Sequence, residues 1–229
     1  MQIPSWLLTV CEYLEQIAGL VVLLPLGLGV WRWPRLPTTL RLLTGYLAFT
    51  EIVLLTSSLV ELYWPVWSIS LWHLFTLVQT LLFLRIYYLT LTSPALRRLL
   101  PAVVVAFTAF ALLDSLYLEG LHQMNSYTHV LQSALLIGLA LLYFEQLLNE
   151  LRVIRLEQDP LFLVSTAVVL YFSGTVLLYV FVNKLSAPAD YASHQVIYTL
   201  NSMVNLIQYV LFALAFWYAG QSLSYHSRS

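Results

Sequence analysis

Seven apolar stretches, each long enough to cross a lipid bilayer, follow one another through almost the whole chain. They cover about residues 6–31, 38–63, 67–91, 97–119, 127–149, 161–183 and 191–220. A hydrocarbon core takes roughly 20 apolar residues per helical crossing, so seven crossings use about 140 residues and leave only short connections. Within such a core every backbone N–H and C=O must be satisfied inside its own segment, which selects helices. Composition agrees: 60% of the 229 residues are hydrophobic and 9% charged, against about 25% charged in an average soluble chain. The expected fold class is all-α, an integral membrane seven-helix bundle forming a single domain over residues 1–229. The lipid bilayer is its first partner.

Charge sets the expected orientation. Arg32, Arg35 and Arg41 fall between the first and second segments or at their facing ends, and Arg85, Arg97 and Arg98 at the facing ends of the third and fourth. Arg152 and Arg155 fall between the fifth and sixth, and Arg228 follows the seventh; the other connections hold only Lys184. Cytoplasmic loops carry the Lys and Arg excess, so the N-terminus is expected outside and the C-terminus in the cytoplasm, as a multi-pass protein of the cell inner (plasma) membrane. The first segment carries Glu12 and Glu15 and no positive n-region, and is too long for a signal peptide; it reads as a retained helix. The tail after Tyr218 is about ten residues long, so no fused output domain is expected and any inward signal has to pass through the cytoplasmic connections. Cys11 is the single cysteine, which rules out a disulfide framework. With a net charge of −1 and basic residues accounted for by topology, a nucleic-acid partner is not implied.

Function has to be sought among polar residues inside the spans, where a charge costs on the order of 2.5–3.5 kcal/mol. Most of them sort to the outer half: Glu51, Ser58 and Glu61 in the second segment, His73 in the third, Asp114 in the fourth, His129 and Gln132 in the fifth and His194 in the seventh. In the seventh segment His194, Tyr198, Asn201, Asn205 and Gln208 are spaced 4, 3, 4 and 3 residues apart and share a face. In the second, Thr44, Glu51 and Ser58 recur every seven residues. Two such seams either line a pocket open to the outside or hydrogen-bond helix to helix at about 0.6 kcal/mol per bond. As a pocket, they make Glu51, Ser58, His73, Asp114, His194, Tyr198, Asn201 and Asn205 the candidate ligand-binding residues for a small molecule or lipid. His73, His129 and His194 lie at similar depth, and three imidazoles are enough for a zinc site with an open position. None belongs to a dense ligand motif, and no cofactor is expected.

A retinal protein is excluded, and the signatures of two other seven-helix chemistries are incomplete. A retinal protein needs a lysine within the seventh helix, and the sole lysine, Lys184, lies in a connection. Phe172-Ser173-Gly174-Thr175 lacks the first glycine of a rhomboid-type protease, and Leu77 and Tyr198 stand four places after His73 and His194 where seven-helix zinc hydrolases carry Asp or His. Tyr171-Phe172-Ser173-Gly174-Thr175 with Phe181, followed by Asn201-Ser202 and Asn205, resembles poorly characterised bacterial seven-helix proteins similar to the membrane input regions of some sensor histidine kinases. That resemblance covers mainly the sixth and seventh segments. It implies a sensory role with a cytoplasmic signalling partner such as a histidine kinase. The expected function is therefore a membrane sensor with a polar pocket in the outer half, signalling through the mixed-charge connection Asn149 to Pro160. Two alternatives stand beside it: a metal-dependent intramembrane hydrolase acting on lipid, with Glu51 as acid/base, and a small-solute transporter.

Overall fold

A computed structural model describes residues 13–14, 17–63, 65–121, 123, 125–150, 156–185 and 191–226, with side chains at all of these except 65–67, 150, 177–185, 191–198 and 220–226. The described residues form seven α-helices: α1 (Leu23–Arg32), α2 (Thr38–Tyr63), α3 (Pro65–Thr90), α4 (Pro94–Leu113), α5 (Ser126–Glu150), α6 (Pro160–Leu185) and α7 (Tyr191–His226). Six stretches are long and apolar enough to cross a membrane: Ile17–Arg35, Thr38–Tyr63, Ser68–Thr90, Pro94–Leu118, Ser126–Asn149 and Thr199–Ala219. In α6 the stretch Pro160–Val176 is apolar but shorter. Large apolar side chains point outward along these helices, Val105 at 69% and Tyr117 at 82% exposure among them. Apolar surface on that scale belongs against lipid.

Proline sets three helix starts. Pro65, Pro94 and Pro160 each occupy the first helical position, where a missing N–H costs nothing and the fixed φ is already helical. α4 therefore begins three residues before the expected 97. Before α6, Asp159 Oδ1 accepts the Phe162 N–H at 2.7 Å and the Tyr143 hydroxyl at 3.1 Å, a side-chain cap that also ties α6 to α5. α4 runs on as a π-helical turn over Asp114–Leu118, where Asp114 O accepts from Glu119 N–H and Gly120 N–H. Gly120, at φ 77°, ends the helix in the left-handed region that only glycine enters at little cost.

The helices pack as a ring in the order α1, α2, α3, α5, α6, α7 and back to α1, while α4 stands outside against α3. Gly29 closes one seam: a Cβ there would lie 2.5 Å from Thr44 Oγ1 and 3.2 Å from Phe216 Cζ, so α1 meets α2 and α7 at backbone distance. Nearby, Arg32 donates to the carbonyls of Phe216 and Trp217 at 2.9 and 2.7 Å and lies against the Trp217 ring. Gly174 does the same between α6 and α7, where a Cβ would be 3.0 Å from Val204 Cγ2. In the middle of the ring Tyr46, Phe83, Phe212, Phe216, Phe172 and Tyr87 are fully buried, with Tyr46 edge-on to Phe83 at 5.1 Å. Hydroxyls in the spans largely satisfy themselves. Thr44, Thr50, Thr76, Thr80 and Thr175 each donate to the carbonyl four residues back, which removes the desolvation penalty without calling on a neighbour.

Candidate functional site

A cavity of about 710 Å³ opens at the end of the ring that carries the α2–α3 connection, opposite the arginine-rich connections. Along α2 its wall is Tyr46, Thr50, Leu54, Ser57 and Glu61, spaced 4, 4, 3 and 4, one helical face. That face runs 15 residues, or roughly 22 Å at 1.5 Å per residue. α3 contributes Ser68, Trp72, Phe75, Thr76 and Gln79, and α7 contributes Asn201, Ser202, Asn205 and Tyr209. Ala18 and Gly19 of the first span, Asn125 and His129 at the start of α5 and Tyr171 of α6 complete it. The first span, ahead of α1, and α2, α3, α5, α6 and α7 thus all reach the cavity, and α4 is not among its described lining elements.

A chain of side-chain hydrogen bonds holds the α3–α5 wall. Gln79 Nε2 donates to the Tyr46 hydroxyl at 2.9 Å, and Gln132 Nε2 donates to Gln79 Oε1 at 3.0 Å. Asn125 Nδ2 donates to Thr76 Oγ1 at 2.7 Å. His129 Nε2 lies 3.3 Å from Thr175 Oγ1, whose own proton goes to Tyr171 O. Thr175 Oγ1 can then only accept, so His129 carries its proton on Nε2. On the opposite wall Asn205 Nδ2 donates to Asn201 O at 3.0 Å. These are neutral donors and acceptors beside aromatic faces, the mixture of a binding pocket. Thr175 and Ser57 both donate their hydroxyl protons to backbone carbonyls.

The residues singled out in the sequence scatter around this cavity. Asn201 and Asn205 line it. The side chains of His194 and Tyr198 lie outside the described ones. Ser58 is exposed and donates to Leu54 O; its neighbour Ser57 lines the cavity instead. Thr44 packs under Gly29. Glu51 is half-buried, its Oε2 shielded from solvent without a hydrogen-bond partner, and it acts electrostatically on Tyr209, a lining residue.

His73 and Asp114 are joints between helices. His73 Nε2–H donates to Gln123 O at 2.9 Å, and Nδ1 lies 2.9 Å from Ser115 Oγ, fastening α3 to the π-turn and the connection after it. Fully buried Asp114 accepts the Thr128 hydroxyl at 2.6 Å and its N–H at 3.3 Å through Oδ2, while Oδ1 has no partner. Among the described residues no three His, Cys, Asp or Glu side chains converge as metal ligands. His73 and His129 each serve a different helix pair.

Sequence reasoning missed Tyr46, Thr50, Ser57, Thr76, Gln79, Asn125, Tyr171, Ser202 and Tyr209. The usable signal was there: the 4-4-3-4 run on α2 and Trp72, Thr76 and Gln79 on α3 share faces in the helical period. Set against protein-family models, curated proteins and solved structures, the chain matches none of them.

Proposed function

We propose that this chain is a seven-helix membrane receptor, N-terminus outside and C-terminus in the cytoplasm, that binds a small molecule in the outer cavity and passes the signal to a separate cytoplasmic partner. The observation that carries the reading is the cavity itself, about 710 Å³ and lined from the first span and from α2, α3, α5, α6 and α7. That is within the size range of pockets for drug-sized ligands. The arginine excess at the other end supports a cavity mouth on the outside. A ligand touching these elements works against the seams between them at once, and helix shifts of about 1–2 Å are enough to alter a cytoplasmic surface. The route inward is the connection from Asn149 to Pro160, whose last residues are tied to α5 and α6 through Asp159. Resemblance to sensor input regions makes a histidine kinase in the inner membrane the candidate partner.

Cysteine scanning tests the reading. With Cys11 replaced by Ser, Asn201→Cys and Asn205→Cys are expected to react with a membrane-impermeant thiol reagent applied from outside to intact cells. Leu214→Cys, exposed on the lipid-facing side, is expected to stay unlabelled. Labelling of Asn201→Cys and Asn205→Cys only from the cytoplasmic side, or from neither, sinks the outer-cavity receptor.

A further inference from the structure

We infer that the cavity takes a small organic ammonium ion, an inference that rests on its being a ligand site. Five aromatic rings line it, Tyr46, Trp72, Phe75, Tyr171 and Tyr209. Trp72 and Phe75 stand edge to face at 5.6 Å, and Phe75 continues to Tyr46 at 6.4 Å, so aromatic surface runs from the mouth to the floor. The negative faces of such rings attract ammonium groups, quaternary ones above all.

Formal charge in the wall points the same way. Glu61 lines the mouth, and no Lys or Arg is among the described lining residues. Glu51 lies outside the lining, its Oε2 buried without a hydrogen-bond partner. The remaining polar groups, on Thr50, Ser57, Thr76, Gln79, Asn125, Asn201 and Asn205, are neutral. Among the described lining groups His129 is the one able to become positive, and it directs Nε2–H to Thr175. An anionic ligand would meet the Glu61 carboxylate and, among the described residues, no fixed positive charge; an ammonium ion meets a complementary carboxylate at the mouth and aromatic faces below it.

The test compares three molecules with the same body and different charge: choline, its uncharged isostere 3,3-dimethyl-1-butanol, and the anion 3,3-dimethylbutanoate. Each is titrated into the full chain in a neutral maltoside detergent, followed by thermal unfolding and by the tryptophan fluorescence lost in Trp72→Phe. Choline is expected to bind at least tenfold more tightly than the alcohol, with the carboxylate weakest. Glu61→Gln is expected to weaken choline at least fivefold and leave the alcohol unchanged. Equal or tighter binding of the carboxylate, or indifference of choline to Glu61→Gln, overturns the inference while the cavity reading stands. If none of the three binds although Asn201→Cys is labelled from outside, the ammonium inference falls alone; if labelling fails as well, both fall. Nanodiscs separate the sources of the same chemistry. Choline binding that is equal in phosphatidylcholine and phosphatidylglycerol discs identifies a free cation, and binding suppressed in phosphatidylcholine discs identifies the lipid headgroup.

Discussion

At the scale of single residues, close approach and bonding partners separate structure from site. Gly29→Ala forces a methyl group against Thr44 and Phe216, both buried; overpacking of this kind costs about 1–3 kcal/mol, visible as a lower unfolding temperature in detergent. Gly27→Ala, two residues earlier with open space around it, is the control and is expected to leave that temperature unchanged. His73→Ala removes the ties to Ser115 and Gln123, and at about 0.6 kcal/mol per membrane hydrogen bond it is expected to lower stability by about 1 kcal/mol. Because His73 does not line the cavity, external labelling of Asn201→Cys in that background should be unaffected; lost labelling would place His73 in the site. Of the seventh-segment seam, Asn201 and Asn205 line the cavity, in keeping with the face their spacing marks. Glu51 and Ser58 misled as partners in a face. A spacing of seven drifts by about 20° per heptad on a straight helix, and serines that bond their own backbone, as Ser58 does, look the same in sequence whether they face lipid or a pocket.

At the scale of elements, the starts at Pro65, Pro94 and Pro160 were read one to three residues late, and faces only in part. Pro65, Pro94 and Pro160 announce three helices, and Asp159 before Pro160 announces a cap. Asp159→Ala removes that cap and the bond to Tyr143. Losing a cap costs about 0.5–2 kcal/mol, and hydrogen exchange should speed up at the amides of Leu161 to Val164 before the rest of α6 is affected; uniform protection would show that the cap is dispensable. Faces were hidden by the solvent. Lipid is as apolar as the bundle core, so Val105 of α4, largely exposed, and Phe107, buried, give no contrast of the kind a soluble helix shows. The π-turn at Asp114 was invisible too, because it depends on Asp114 reaching across to Thr128 of α5.

At the scale of the whole molecule, apolar length gave the helical class and alternating arginines the expected orientation, whereas the ring order with α4 outside depends on packing that no periodicity records. Orientation has a direct check: a fluorescent protein fused at the C-terminus should fluoresce and alkaline phosphatase at the same place should be inactive, while the reverse pattern inverts the topology. Gly29 carries a mechanical consequence. It presses α1, α2 and α7 together at one end of the ring, where Arg32 adds its bonds to α7, and the cavity separates the same helices at the other end. A body pinched at one end and parted at the other works as tweezers. In the receptor we propose, a ligand filling the gap would turn the arms about the glycine fulcrum, and the short side of the lever would emerge where the arginines are.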